Sequence, residues 1–168
     1  GIIGNGTPEQ INEWIPQCFG TPENIQLAAF CVSEPDAGSD VSSLRTRAVY
    51  DEAKDEWVLN GTKLWITNGG FADFFTVFAK ENIAGEDKIT AIMVTRDMGG
   101  VSHGPEEQKL GIKASSTVEV YFKDVRIPAS NVLGKPGDGF KIAMGILNQG
   151  RLGLSGGALG TIKAVVAQ

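Results

Sequence analysis

From residue 27 to about residue 128 the apolar residues of this chain recur at every second position, while on either side they recur at helical spacing. That change of period constrains the fold more than any other feature. Arg45 to Tyr50, Trp57 to Leu59, Lys63 to Ile66, Phe74 to Ala79, Ile89 to Thr95 and Val118 to Ile127 read as strands, rich in Val, Ile, Phe and Thr. Asp51 to Glu56 reads as a charged loop, and Asn60-Gly61 between two apolar runs is the strongest hairpin signal. Short strands separated by turns predict an antiparallel sandwich or barrel. No strand–helix alternation supports a Rossmann fold.

Upstream, the spacing predicts a helix over residues 7–19. Thr7 is its N-cap, Pro8 suits the first turn, and Gln10 completes a capping box. Ile11, Trp14 and Ile15 form its apolar stripe, and Pro16 argues for a kink or an early end. From Gly139 the pattern is helical again, with Phe140, Ala143, Met144 and Leu147 on one face. Gly153 with Gly157, and Gly156 with Gly160, suit close approach of another helix. The fold class is therefore mainly β with a helix at each end.

With 168 residues, 42% of them hydrophobic and 21% charged, the chain is long enough to bury a real core and is most simply one domain. A net charge of −5 gives a nucleic-acid role no electrostatic support. No apolar run approaches the ~18 residues of a membrane span. Cys18 and Cys31 lie in apolar surroundings without metal-like spacing and read as buried thiols in a reducing compartment. The chain starts at Gly1 and stops at Gln168 inside an apolar helical pattern, so it reads as a piece of a longer protein.

Two segments carry candidate chemistry. Phe30-Cys31-Val32-Ser33-Glu34-Pro35-Asp36-Ala37-Gly38-Ser39-Asp40 ends an apolar run in a turn dense with Pro, Gly and side-chain oxygens. Such a turn either cradles a phosphate and polar ring atoms, or satisfies its own backbone through Ser33, Ser39 and Asp40. Trp65-Ile66-Thr67-Asn68-Gly69-Gly70 repeats the pattern with an aromatic at a strand end. Trp65 either packs on a flat cofactor, with Thr67 hydrogen bonding to it, or is a core tryptophan, the commoner case for such a residue alone.

Glu34 and Asp40 are possible general bases, but a structural role bonding backbone N–H groups is the better reading. His103, the only histidine, lies in a loop with no second ligand or nucleophile, so neither a catalytic triad nor a metal cluster is expected. The glycine-rich segments 1–6 and 134–139 match neither a dinucleotide fingerprint nor a Walker loop and read as turns. Arg151 either binds an anionic ligand group or pairs with a carboxylate.

Taken together these segments resemble the acyl-CoA dehydrogenase family across essentially the whole chain. Glu34-Pro35-Asp36-Ala37-Gly38-Ser39-Asp40 is similar to its E-P-x-x-G-S-D signature, and Asn60 to Gly69 to its second flavin segment. Leu110 to Ser115, followed by Phe122 to Pro128, is similar to its closing strands, and Asn148-Gln149-Gly150-Arg151 to the start of its C-terminal helical domain. Phe75 to Lys80, Ser102 to Pro105 and Ile146 to Arg151 look most like the very-long-chain branch, whereas residues 1–60 look closer to bacterial-type branches. Asp36 departs from the family's glycine after proline.

The resemblance implies three parts: residues 1–26 ending a helical domain, 27–134 forming a β middle domain, and 135–168 starting a second helical domain. It implies FAD, held by Phe30, Cys31, Val32, Ser33, Gly38, Ser39, Trp65, Ile66 and Thr67. Ser33 and Thr67 would bond polar atoms of the flavin ring, and Trp65 would pack where electrons leave. Ser39 would reach the phosphate region and lie near the substrate, and Asn148 and Arg151 would touch its CoA portion. The implied reaction is α,β-dehydrogenation of a long or very long fatty acyl-CoA thioester in β-oxidation, with electron-transferring flavoprotein as partner and a homo-oligomeric parent. The flavin ring must then lie within ~3.5 Å of the reacting carbon. The base, a Glu, and an arginine reaching FAD from a partner subunit are expected beyond Gln168, so no catalytic residue and no metal are assigned here. The implied location is intracellular, mitochondrial in a eukaryote and cytoplasmic in a bacterium. An acyl-CoA oxidase or nitroalkane oxidase sibling, or a non-catalytic β-module for assembly, are the alternatives.

Overall fold

In the computed structural model, which describes residues 1–167, the capping box of the sequence does more than start a helix. The Thr7 hydroxyl accepts from Gln10 N–H at 3.2 Å and Gln10 Oε1 accepts from Thr7 N–H at 2.9 Å, opening α2 (Pro8–Phe19). Gln10 Nε2 also donates to Ser130 O at 2.7 Å and Val132 O at 2.8 Å, which ties the helix start to a segment 120 residues farther along. α2 continues through Pro16 to Phe19, the end the spacing predicts, so of the two readings of Pro16 the early end does not occur. Trp14 is buried and meets Phe74 edge-on at 5.9 Å, a tertiary contact that holds the helix where local propensity would end it. The glycine-rich stretch before it, expected as a turn, forms one helical turn, α1 (Ile2–Asn5).

Eight strands follow: β1 (Ala28–Cys31), β2 (Arg47–Asp51), β3 (Glu56–Thr67), β4 (Phe74–Ile83), β5 (Glu86–Thr95), β6 (Val101–His103), β7 (Thr117–Pro128) and β8 (Val132–Leu133). They form one sheet in the order β6-β7-β3-β2-β4-β5-β8, with β1 also paired to β4. The sheet is mixed, not purely antiparallel as expected. β1 runs parallel to β4, with Ala28 to Cys31 opposite Phe74 to Val77, and β2 runs parallel to it at Arg47 opposite Lys80. β1 and β2 thus share one edge of β4 in the same direction, and the segment between them loops out of the sheet.

The sheet curls, because Phe75 on β4 meets Phe122 on β7 at 6.2 Å although these strands are not neighbours. Leu59, Val77, Ile92, Val118, Val120, Val125 and Ile127 fill the enclosed face. Burying each such side chain contributes about 1.5–3 kcal/mol. The opposite face of β4 and β5, with Phe74, Phe78, Ala91 and Met93, is covered by α2 and by the start of α3 (Gly139–Val166). That start approaches so closely that a Cβ on Gly139 would lie 2.7 Å from Ile89 O. Gly139, Ile142 and Ala143 are its buried residues, while Phe140, expected on the buried face, is exposed. Farther along, Leu152, Leu154, Leu159 and Ile162 are exposed, and the paired glycines meet nothing within 4 Å.

Asn60-Gly61 is not a hairpin. β3 passes through it without turning, and the β3–β7 register shifts between Leu59 and Gly61. Asn60 pairs across to Asp124, donating to its carboxylate at 3.1 Å and accepting its N–H at 2.9 Å. Gly61 is there for space, since a Cβ would sit 2.4 Å from Thr46 Oγ1. The hairpins lie elsewhere: the charged loop after Asp51 joins β2 to β3, and Ala84-Gly85, with φ of 52° and 89°, joins β4 to β5.

Gly61→Ala should therefore lower the unfolding free energy by about 1–3 kcal/mol in urea titrations. Gly145→Ala on α3, where a Cβ meets nothing within 4 Å, should raise it by about 0.5–1 kcal/mol.

Candidate cofactor cleft

A second register shift in β3 builds one wall of a cleft. Between Lys63 and Ile66 the β3–β7 pairing slips, and Trp65 takes a left-handed backbone with φ of 57°. A bulky L-residue held there costs about 1–2 kcal/mol. The slip buries Lys63 and Ile66 and turns the Trp65 indole outward, leaving the residue 63% exposed. The turn that follows is pinned from several sides. Asn68 N–H donates to Ser116 O at 3.1 Å and its side chain to Ala28 O at 3.2 Å. Arg96 donates to Gly69 O at 2.8 Å and Ala72 O at 2.7 Å, its guanidinium lying 5.1 Å from the centre of the Phe75 ring.

The other wall is the loop leaving β1. Pro35 and Asp36 occupy the centre of a tight turn closed by reciprocal bonds between Glu34 and Ala37, at 2.9 and 3.1 Å. Asp40 accepts from Ser42 N–H at 3.1 Å and caps the short helical turn at Val41–Ser43. Asp36, the departure from the family pattern, lies on the outside of the loop and pairs with Arg45 at 3.0 Å.

The walls are joined underneath. Leu64 N–H donates to Ser33 O at 2.9 Å. Lys63, with a fully buried side chain, donates to Val32 O at 3.2 Å, Phe78 O at 2.6 Å and Glu34 Oε1 at 2.6 Å. The Glu34 carboxylate also accepts from the backbone N–H groups of Arg45 and Thr46. Glu34 is thus the structural carboxylate expected, with a partner the sequence did not disclose. Burial works against its charge more than any other single influence, yet the Lys63 ammonium and the Lys63, Thr46 and Arg45 hydrogen bonds together hold it below the usual carboxylate range.

The cleft between the walls measures about 320 Å³. Phe30, Val32, Ser33 and Gly38 line one side and Trp65, Ile66 and Thr67 the other, all of them singled out in the sequence. Val41 and Leu147, which were not, complete it. Cys31 does not line the slot: strand alternation turns its side chain into the enclosed core, and burial pushes its thiol up to about 12 despite Lys63 nearby. Cys18 is only half-buried. Ser39 is exposed on the loop and does not line the cleft. Asn148 and Arg151 are exposed on α3, where Arg151 donates to the Asn148 side-chain Oδ1 at 2.9 Å, and neither lines the cleft. His103 lies exposed on β6, a short strand where a loop was expected.

An outward indole, apolar side chains and the hydroxyls of Ser33 and Thr67 around one slot suit a flat ring with a polar edge. Residues 29–125 match the family model described as acyl-CoA dehydrogenase, middle domain. The chain belongs to the acyl-CoA dehydrogenase family. It is 50% identical, over its whole length, to the mitochondrial very long-chain specific acyl-CoA dehydrogenase of Rattus norvegicus, covering 26% of that relative. Among solved structures, an acyl-CoA dehydrogenase complexed with FAD from Bacillus anthracis is 44% identical with a TM-score of 0.80, over 89% of this chain and 25% of that one. Butyryl-CoA dehydrogenase from Megasphaera elsdenii is 42% identical with a TM-score of 0.80, over 90% of this chain and 39% of that one. The chain thus spans about a quarter of the length of its very-long-chain relatives.

The depressed Glu34 pKa sets an acid limit on the acyl-CoA dehydrogenase fold here. Its stabilisation is present above the unfolded carboxylate value of about 4.3 and is lost as pH falls through the lower folded value. Glu34→Gln should cost about 3 kcal/mol or more at neutral pH. The gap between wild type and variant in urea unfolding should narrow once pH falls below about 4.

Proposed function

We propose that this chain is the cofactor-holding middle portion of an FAD-dependent enzyme. Its reaction would be α,β-dehydrogenation of fatty acyl-CoA thioesters of long or very long chain. The observation that carries the reading is the cleft itself, where seven of the residues picked out by sequence line a single slot. Bound FAD supplies the two-electron acceptor for the dehydrogenation. Ser33 and Thr67 would hydrogen bond its polar ring edge, and Phe30, Val32, Ile66 and Leu147 would enclose its apolar part. Trp65 would cover one face and exclude water there. Ser39, on the outer loop, would face the phosphate region, and Asn148 and Arg151 the CoA portion of the substrate.

The division into residues 1–26, 27–134 and 135–168 belongs to the same proposal. Exposed Leu152, Leu154, Leu159 and Ile162 on α3 support further helices packing there in the full-length protein. The catalytic glutamate would come from those helices. The 50% identity to a very long-chain specific relative supports long acyl substrates, and that relative's mitochondrial name supports an intracellular site. Electron-transferring flavoprotein as acceptor and a homo-oligomeric assembly complete the proposal.

Two measurements test it. The full-length protein should carry a yellow flavin and oxidise palmitoyl-CoA faster than butyryl-CoA, passing electrons to electron-transferring flavoprotein. A colourless protein, a preference for butyryl-CoA, or faster reoxidation by oxygen would each contradict the corresponding part. Trp65→Gly relieves the left-handed strain and loses little packing, so its urea midpoint should stay at or above that of wild type. Its FAD affinity should nevertheless fall about tenfold or more, because a stacking wall is gone.

A further inference from the structure

We infer that Lys63 and Glu34 are positioning residues that set the gap between the two walls of the cleft. The inference rests on the flavin reading above and goes beyond it, because neither side chain lines the slot.

The geometry is that of a clamp with one end on each wall. Lys63 sits in β3 two residues before Trp65, on the near side of the bulge. Its ammonium reaches across to Val32 O at 3.2 Å, immediately before Ser33, and to Glu34 at 2.6 Å, immediately after it. Its third donor goes to Phe78 O on β4 at 2.6 Å. The ammonium therefore spends all three of its protons on fixed acceptors and has no freedom to swing.

This contact also lies where the sheet is interrupted. β1 and β2 occupy the same edge of β4, and the residues between them have no strand partner there. At that gap Phe78 O turns to Lys63 instead of to a neighbouring strand. Glu34 closes the far end by accepting from Arg45 and Thr46 N–H, while Thr46 O accepts from Lys80 N–H at 2.7 Å to restart the edge. The pair replaces a missing length of ladder, and it does so directly beneath the slot. Among the described residues the backbone–backbone bond between the walls is Leu64 N–H to Ser33 O, so without the ammonium the residues around Ser33 keep only that hydrogen bond to β3.

A pair that only stabilised the fold could be exchanged for a neutral pair with little effect on ligand binding, since such exchanges are often neutral or better for stability. A positioning pair behaves differently. Lys63→Met with Glu34→Gln, made in the full-length protein, should fold, because the Gln oxygen still accepts from Arg45 and Thr46. It should recover most of the stability that Lys63→Met alone loses to an unpaired carboxylate. Its FAD dissociation constant should still rise about tenfold, as the Ser33 wall loosens. Its flavin band should lose fine structure and its reduction potential should move. Lys63→Gln with Glu34→Gln is the second double variant, and any loss should be smaller where the amide reaches a carbonyl.

A folded double variant with wild-type flavin affinity, band shape and potential would overturn the inference while leaving the flavin reading intact. Failure of both double variants to fold would also overturn it, because the pair would then be needed for the fold itself. A wild-type protein without flavin would remove the reading and this inference together.

Discussion

One buried ion pair, Lys63 on β3 with Glu34 on the loop after β1, joins the two walls of the candidate site. A lysine with no exposed side-chain surface is unusual, and it is tolerated here because all three of its donors are used. Stripping two charges of water costs several kcal/mol per ion, so such a pair is a poor way to gain stability. What it provides is geometry. It joins β3, β4 and the loop after β1 at the gap between β1 and β2 along the edge of β4.

The two walls are irregular for related reasons. The loop wall exists because β1 and β2 share an edge of β4 and the chain between them has to leave the sheet. The indole wall exists because β3 slips against β7 and accepts a left-handed tryptophan. Strain of this kind persists only where the surroundings over-determine it, and here Arg96, Asn68 and Ser116 brace the far side of the bulge. A tryptophan 63% exposed on a left-handed backbone gains little from its own packing, which supports the proposal that its indole serves a ligand.

Much of this was legible in the sequence, and what was not shares one cause. The capping box of α2 was readable because a cap is settled within four residues, and the strands because alternation is local. Asn60-Gly61 misled because the same dipeptide that suits a turn also suits a bulge and a close approach to Thr46, a contact far away in sequence. Pro16 did not stop its helix because Trp14 docks on Phe74. The parallel edge of the sheet, the outward turn of Trp65 and the partner of Glu34 are all long-range. Lys63 did leave a trace, a lone cation between Leu59 and Ile66 at a position that alternation turns inward. The cleft residues were named mostly through family resemblance; local chemistry alone left the turn and the tryptophan ambiguous. Within the first named stretch the side chains divide, since alternate residues of β1 face opposite ways and Cys31 faces the core.

The most direct test is a crystal structure of the full-length protein with FAD bound. The flavin ring should lie against the Trp65 indole, hydrogen bonded to Ser33 and Thr67, with the Lys63–Glu34 pair intact beneath it. A ring bound elsewhere, with Trp65 facing solvent and the slot between Ser33 and Thr67 closed, would contradict the assignment of this cleft to the cofactor.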